Sequence, residues 1–331
     1  AMRQFADAPP PGNLGGWLHV AARRRIIDRL RRKARLAELI AAQPEAAEGE
    51  DMDTVSLFDE QIPDERLRLI FICCHPAIAP EARAALTLRV VCGVPTERIA
   101  AAFLLATPAM AQRLTRAKAK IRDAGGPFET PPPHLWAARL QSVLATLEIG
   151  YALAFQDAAG SEPTADLGPE VLRLTDMLAE LLPDDPEVLG LAALVQLGEA
   201  RRAARVDAAG RMIPLSEQDC TLWDNRLIGS AAWAMQRAAA LGRSGPYQLM
   251  AAIHLTHARR KAEGRTDWAA ILKLYDLLIQ LRPGPVVAIN RAIALARVEG
   301  AEAGLAAIEA LGDEKIERFE HAEAPDLVAR Q

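Results

Sequence analysis

Segments with apolar residues at helical spacing fill this chain from residue 134 almost to its end, and they constrain its fold more than any other feature. The predicted helices cover residues 134–157, 167–182, 186–204, 219–241, 246–262, 267–281, 285–299 and 302–311. Hydrophobic residues make up 50% of the chain and aromatic residues only 5%, which is typical of closely packed helices rather than of a β-sandwich. The sequence therefore predicts an all-α protein with a substantial core.

The last part of this helical region has a pattern of its own. Residues 267–311 form predicted helix pairs with short turns such as RPGP, and the small residues Ala288, Ala292 and Ala294 allow close contacts between helices. Because the period is irregular, we predict a tetratricopeptide-like helical domain over residues 134–331 rather than a regular array. A groove in such a domain is a candidate site for a protein or peptide partner.

Charge is strongly segregated along the chain, although the net charge is only −4. Residues 1–37 carry 9 Lys/Arg against 2 Asp/Glu, and residues 66–125 carry 10 against 3. Between them, residues 38–65 carry 10 acidic residues and no Lys or Arg. Two basic blocks around an acidic connector indicate a polyanionic partner for the first third of the chain. The alternative is that these basic faces are only solvated.

The second basic block has the pattern of a small helical domain over residues 64–125. Its four short predicted helices contain DERLRLIFICCHP, PEARAALTLRVVCG, TERIAAAFL and TPAMAQRLTRAKAKIR. The Pro-rich stretch GPFETPPPH at residues 126–134 is the predicted boundary to the helical domain that follows. On the other side, residues 38–63 are predicted to be a flexible acidic linker, and residues 17–37 an amphipathic helix.

The fourth helix of this domain is amphipathic and basic. Met110, Leu114, Ala117 and Ile121 share one face, and Thr107 followed by Pro108 gives the helix a defined start. A helix, a three-residue turn and a capped basic helix predict a helix-turn-helix, whose second helix enters the DNA major groove. The candidate DNA-binding residues on this helix are Thr107, Gln112, Arg113, Arg116, Lys118 and Lys120. Arg and Gln are suited to base edges and Lys to phosphates. The alternative is a surface helix whose charges only solubilise the protein.

The stretch TERIAAAFLLATPAMAQRLTRAKAKIR closely resembles region 4 of sigma-70-type sigma factors. The resemblance implies that this part binds the −35 promoter element. Likewise GGWLHVAARRRIIDRLRRKAR resembles the end of region 2, which reads the −10 element, and there Arg23, Arg24 and Arg25 are candidate DNA-binding residues. Residues 1–37 are thus expected to be the remnant of a region 2 whose first part is missing.

The order of these parts resembles the extracytoplasmic-function sigma factors that carry a C-terminal tetratricopeptide-like extension. The matching stretches of the extension include PYQLMAAIHLTHA, TDWAAILKLYDLL and PVVAINRAIALA. The resemblance implies promoter DNA and RNA polymerase core as partners, the latter weakened by the missing part of region 2. It also implies that the extension, rather than a separate anti-sigma factor, controls the protein. The alternative is a truncated protein-interaction module whose helical domain binds a protein partner.

Other residue patterns do not predict catalysis or a cofactor. Cys73, Cys74 and Cys92 lack zinc-knuckle spacing, and Cys73 and Cys74 are expected to be buried, so we predict no metal site. His254 and His257 are one helical turn apart without a third ligand, and no phosphate loop, nucleophile elbow or dinucleotide motif occurs. The chain is therefore not expected to be an enzyme. The absence of a signal peptide or spanning run, and cysteines without disulfide spacing, predict a cytoplasmic protein without a membrane partner.

Overall fold

A computed structural model of the protein describes residues 62, 64–123, 131–157, 167–207 and 211–311. Within these ranges the chain forms the α-helices α1 Glu65–Cys73, α2 Pro80–Val90, α3 Thr96–Ala102, α4 Thr107–Asp123, α5 Trp136–Asp157, α6 Leu167–Leu181, α7 Pro186–Ala200, α8 Asn225–Ala240, α9 Pro246–Glu263, α10 Trp268–Leu281, α11 Pro285–Glu299 and α12 Ala301–Glu309. The same ranges contain no β-strand, only an isolated bridge between Val206 and Met212. The predicted all-α fold is confirmed.

The helix starts follow from side chains that can replace missing backbone partners. Asp64, Asp185, Asp224 and Asp267 each accept a backbone hydrogen bond at the start of a helix. Proline occupies the first position of α2, α7, α9 and α11, where its fixed φ suits the helix and its missing N–H is not needed. These signals are local in sequence, which is why most predicted bounds agree closely with the observed ones.

Two predicted bounds around α7 and α8 were wrong. The helix predicted over residues 186–204 ends at Ala200, and a separate 3₁₀ turn follows at Arg202–Ala204. The helix predicted over residues 219–241 begins only at Asn225, because Asp224 accepts hydrogen bonds from the N–H groups of Arg226 and Leu227. The residues before it form another short 3₁₀ turn, capped by Asp219.

From α5 onward, consecutive helices pack against each other, and α7 lies at the centre. Every residue of α7 from Val188 to Ala200 is buried, since α6, α8 and α9 all pack against it. At Gly190 the start of α9 comes so close that a Cβ would lie 2.6 Å from the backbone nitrogen of Gln248. The described helices include none that is both long and apolar enough to cross a membrane.

Helices α1 to α9 contribute to one hydrophobic core, and a smaller cluster lies between α9, α10 and α11. The predicted boundary at residues 126–134 thus separates two groups of helices but not two cores. Helix α5 packs against α1 and α2. The Phe71 and Trp136 rings are 5.7 Å apart, and Nη1 of Arg139 donates to the carbonyl oxygen of Phe71 at 3.0 Å.

Polar contacts also join the first helices to the helical extension. Arg173 of α6 pairs with Asp64 at 2.8 Å and with Glu170 at 2.7 Å. Glu170 in turn pairs with Arg66 of α1. Desolvation opposes charge on both carboxyl groups, but the arginine hydrogen bonds outweigh it and hold the pKa of Asp64 and of Glu170 below their usual values. These ion pairs therefore hold the start of α1 against α6.

Candidate nucleic-acid interface

Helices α3 and α4 form a compact pair on the surface of α2. Ile99, Ala100 and Phe103 are buried on the α3 side. Met110, Leu114 and Ala117 are buried on the α4 side, which confirms the predicted apolar face of that helix at these three positions. The side chain of Ile121 lies outside the described residues. The apolar face of α4 is thus used for packing, and the opposite face is left for solvent or a ligand.

The turn between the two helices has a well-defined hydrogen-bond pattern. The N–H of Leu104 donates to the carbonyl of Ala101 at 3.1 Å, and the N–H of Leu105 donates to that of Ala100 at 2.8 Å. These two bonds make a Schellman motif, in which the first residue after the cap is left-handed. Leu104 takes that position with a φ of 52° and is 66% exposed. A non-glycine residue with this backbone fixes the angle between α3 and α4 at some cost in strain.

Helix α4 begins at Thr107, the residue predicted to be its cap, and thus one residue earlier than predicted. Thr107 is the first helical residue, and the carbonyl of Ala106 accepts from the N–H of Met110 at 3.1 Å. Thr107 therefore lies in the first turn rather than before it, and it is half-exposed. This first turn holds no acidic residue. Its free N–H groups and the helix dipole favour an anion, such as a phosphate of a nucleic-acid backbone.

The outward face of α4 carries the other predicted DNA-binding residues. Gln112, Arg116, Lys118 and Lys120 are exposed or half-exposed, and Arg113 is half-buried. No acidic side chain of the described ranges forms an ion pair with the four cations of this face. Their charge is therefore available to a ligand.

Other arginines of the basic block have structural roles. Arg83 donates to the carbonyls of Ile78 and Pro76 and to Ser142 of α5. Arg66 pairs with Glu170. No local sequence signal predicts these roles, because the partners of both arginines include residues far along the chain. The charge of Arg66 is thus balanced by Glu170, and the guanidinium group of Arg83 is held by neutral acceptors. Arg23, Arg24 and Arg25 lie outside the described residues.

Three cysteines lie at or just beyond the ends of α1 and α2, and Cys73 and Cys74 are packing residues, as predicted from the apolar residues before them. Cys73 and Cys74 are buried, and Cys92 is half-buried. Desolvation raises the pKa of Cys73 to about 12, of Cys74 to about 11 and of Cys92 to about 12. These thiols therefore stay protonated at neutral pH. In the part of the chain that is described, no three His, Cys, Asp or Glu side chains are arranged to hold a metal ion.

His254 and His257 also have packing partners. His254 Nδ1 lies 2.9 Å from Nη2 of Arg201, and the His257 ring meets the edge of Trp268 with centroids 5.3 Å apart. Burial, followed by the charge of Arg201, lowers the pKa of His254 well below its usual value and that of His257 to about 4. Both rings are neutral at physiological pH, so they are structural residues of α9.

Comparison with known proteins identifies the first group of helices. Residues 68–121, which span α1 to α4, match the family described as Sigma-70, region 4. This part of the chain is a sigma-70 region 4 domain. The matched region is the DNA-binding helix-turn-helix of this family, which acts in transcription. Its match coincides with the four helices and the exposed basic face described above.

Two further comparisons concern the rest of the chain. Residues 139–239 match a family of unknown function (DUF6596), which covers most of α5 to α8. An uncharacterized protein R00370 from Rhizobium meliloti (strain 1021) is 39% identical over 319 residues, which cover 95% of this chain and 75% of that protein. The two chains therefore belong to one family over both groups of helices. No solved structure matches this chain.

Proposed function

We propose that this protein acts as a sigma-70 family member and recognises the −35 element of promoters through α4. The observation that carries the proposal is the outward face of α4, whose cations have no ion-pair partner among the described residues and stand on a buried helix-turn-helix. The match of residues 68–121 to region 4 supports the same role. Binding of this kind positions a polymerase at a promoter and requires no chemistry by the chain itself.

The residues of α4 divide by their position and by what their side chains can recognise. Gln112, Arg113 and Arg116 lie in the first three turns and can make paired hydrogen bonds to adenine or guanine edges in the major groove. Lys118 and Lys120 lie further along and suit backbone phosphates. Thr107 lies at the N-terminal turn, where its hydroxyl and the helix N–H groups can meet a phosphate. We assign sequence discrimination to the first group and general affinity to the others.

In this proposal the extension contacts region 4 through α1 and α2 and leaves the basic face of α4 exposed. Helix α5 packs on α1 and α2, whereas α4 packs on α2 and α3 and keeps its basic face exposed. Docking of the extension is therefore compatible with DNA binding. Control by the extension would then act on the placement of region 4 rather than by masking α4.

Electrophoretic mobility shift with a promoter library tests the assignment. Arg113→Ala and Arg116→Ala should each weaken specific binding by about 1–3 kcal/mol and relax the preference at one base position. Arg265→Ala removes one exposed cation from the extension and serves as the control, with unchanged binding expected. Unchanged affinity and specificity in both α4 variants would rule the proposal out.

The salt dependence of binding gives a second test. Removal of one phosphate-binding lysine should reduce the slope of log K against log salt by about 0.9. Lys118→Ala and Lys120→Ala should show this change while keeping the base preference of the wild type. A variant that lost base preference instead would contradict the assigned role of that lysine.

RNA polymerase core is the proposed protein partner, and Arg23, Arg24 and Arg25 are proposed to hold the opened promoter strand.

The second candidate function is a protein-interaction module. It is favoured by exposed apolar side chains on the last helices, where Leu277, Leu281 and Leu305 are each more than half exposed. Purified polymerase core separates the two: capture by the intact chain together with promoter binding supports the sigma role. If the chain neither captures polymerase core nor binds promoters, the result supports the interaction module.

A further inference from the structure

A cluster of buried arginines lies where α7 ends and the 3₁₀ turn Arg202–Ala204 begins. Arg201 is 3% exposed and Arg205 is completely buried. Buried arginines are rare unless a carboxylate or another acceptor satisfies each guanidinium, because desolvation of an unpaired charge costs several kcal/mol. The two guanidinium groups therefore need acceptors.

Arg205 is held in place by one of its nitrogen atoms. Its Nη2 donates to the Tyr151 hydroxyl at 2.6 Å and to the carbonyl of Gly198, and it lies 3.5 Å from a carboxylate oxygen of Glu199. The guanidinium carbon stacks 3.9 Å from the centre of the Phe155 ring. Nε and Nη1 have no acceptor among the described residues. Two nitrogen atoms of this buried guanidinium group thus lack a hydrogen-bond acceptor among the described residues.

Arg201 has no carboxylate partner among the described residues. Its Nε donates to the carbonyl of Leu197 at 3.3 Å, and its Nη2 faces Nδ1 of His254 at 2.9 Å. Its Nη1 is buried without an acceptor in the same part of the chain. Burial, together with repulsion from Arg205, lowers the pKa of Arg201 to about 10. The guanidinium stays charged at neutral pH.

The charges around these two residues do not balance. Glu199 is shared between Arg202, whose Nε lies 2.5 Å from it, and Arg205. Arg260 lies close enough to Arg201 to lower its pKa further, and it donates to the carbonyl of Gln218. Among the described residues, Glu199 is the carboxylate that pairs with Arg202 and Arg205, and Arg201 has none. The two buried cations Arg201 and Arg205 thus share less than one carboxylate, and such an excess of buried positive charge is stabilised by an anion.

The backbone makes room for this cluster. A Cβ at Gly198 would collide with the Tyr151 hydroxyl, and one at Gly168 would collide with Nη2 of Arg202. Glycine at both positions, on α7 and on α6, therefore leaves the space that these two side chains occupy. The arginine cluster is an organised part of the fold, and the Tyr151 hydroxyl, which accepts from Arg205, still has its own proton to donate.

We propose that Arg201 and Arg205 bind an oxyanion, either a phosphate or a carboxylate group of a small molecule. The donors without an acceptor in the described part of the chain are Nη1 of Arg201 together with Nε and Nη1 of Arg205, and the Tyr151 hydroxyl adds a neutral donor. Guanidinium groups suit both anions because their N–H groups match pairs of oxygen atoms. The site lies in the extension and is separate from the basic face of α4.

Thermal unfolding of the full chain tests this binding. Sodium phosphate and sodium acetate are compared with sodium chloride at equal ionic strength, so that general screening cancels. At a saturating concentration the bound anion should raise Tm by roughly 5 °C, because it binds only the folded state. A rise with phosphate alone identifies a phosphate group, and a rise with acetate identifies a carboxylate. No rise with either anion would overturn the proposal.

Variants show which residues cause the anion-dependent rise in Tm. Arg201→Gln keeps a donor but loses the charge, and it should abolish the anion-dependent rise in Tm. Arg291→Gln, on a partly exposed arginine paired with Asp276, should keep it. A double Arg113→Ala, Arg116→Ala variant should also keep it, whereas loss of the rise there would place the anion on α4 and overturn the proposal. If Arg201→Gln fails to fold, equilibrium dialysis of labelled orthophosphate or acetate against wild type and Arg201→Lys replaces it. Equal affinity of the two proteins would then contradict the site.

Discussion

At the scale of single residues, Leu104 shows how much a turn can depend on one backbone angle. Its φ of 52° lies in the left-handed region, and its side chain is 66% exposed. Leu104→Gly should raise the free energy of unfolding by up to about 1 kcal/mol, because glycine adopts this angle without the steric cost that leucine bears. Urea unfolding measures the change. Ala101→Gly, within α3, is the matched control and should lower stability by about the same amount. A loss of stability in Leu104→Gly would contradict the strain.

The two histidines of α9 should make stability depend on pH. Their folded-state pKa values are lowered, that of His257 to about 4, whereas the pKa of a histidine in the unfolded chain is near its ordinary value of 6.5. Below that value the unfolded chain binds more protons than the folded one. The free energy of unfolding should therefore fall as pH decreases from about 6.5 to about 5, by up to about 1.4 kcal/mol per pH unit for each histidine. Denaturant midpoints across this range check the slope.

A variant isolates the contribution of His257 to that slope. His257→Phe keeps an aromatic ring beside Trp268 but cannot take up a proton, so the dependence on pH should become shallower. Asp64 and Glu170, whose pKa values are also lowered, change charge only below this range. An unchanged slope in His257→Phe would show that His257 does not titrate as its burial requires.

At the scale of helices, Asp64 has two tasks at the start of α1. Its Oδ1 accepts from the N–H groups of Arg66 and Leu67, and its Oδ2 pairs with Arg173. Asp64→Ala should lower the free energy of unfolding by about 1–2 kcal/mol, mainly through loss of the cap. Asp64→Asn keeps an oxygen for the cap and loses only a partly exposed ion pair, so it should cost less than about 1 kcal/mol. Equal losses in the two variants, measured by urea unfolding, would show that the ion pair dominates.

The helices and the apolar face of α4 could be predicted because their signals are local. Prolines and aspartates mark the helix starts, and the spacing of Met110, Leu114 and Ala117 is enough to assign the buried face of the recognition helix. The packing of α5 on α1 and α2 could not be predicted, because it depends on pairs such as Arg139 and Phe71 that are 68 residues apart. The arginine cluster was missed for the same reason: its residues look like ordinary surface charges until α5, α7 and α9 are brought together.

At the scale of the whole molecule, the shared core makes the two groups of helices interdependent. Leu88 of α2 is fully buried, with Gly150 of α5 beside it, and Phe71 packs against Trp136. A fragment of residues 62–130 would expose these apolar side chains. We expect it to unfold at a lower urea concentration than residues 62–331, with a less cooperative transition, as followed by circular dichroism. Equal midpoints for the two fragments would mean that the extension contributes nothing to region 4.

The bond from Arg139 to the Phe71 carbonyl also sets an order of events in the cell. The ribosome synthesises α1 to α4 before it adds Arg139, whose side chain binds the end of α1. Nascent chains stalled before residue 139 should therefore leave this segment exposed to chaperones and proteases. A chain that ends before the extension should therefore be degraded faster than the full chain.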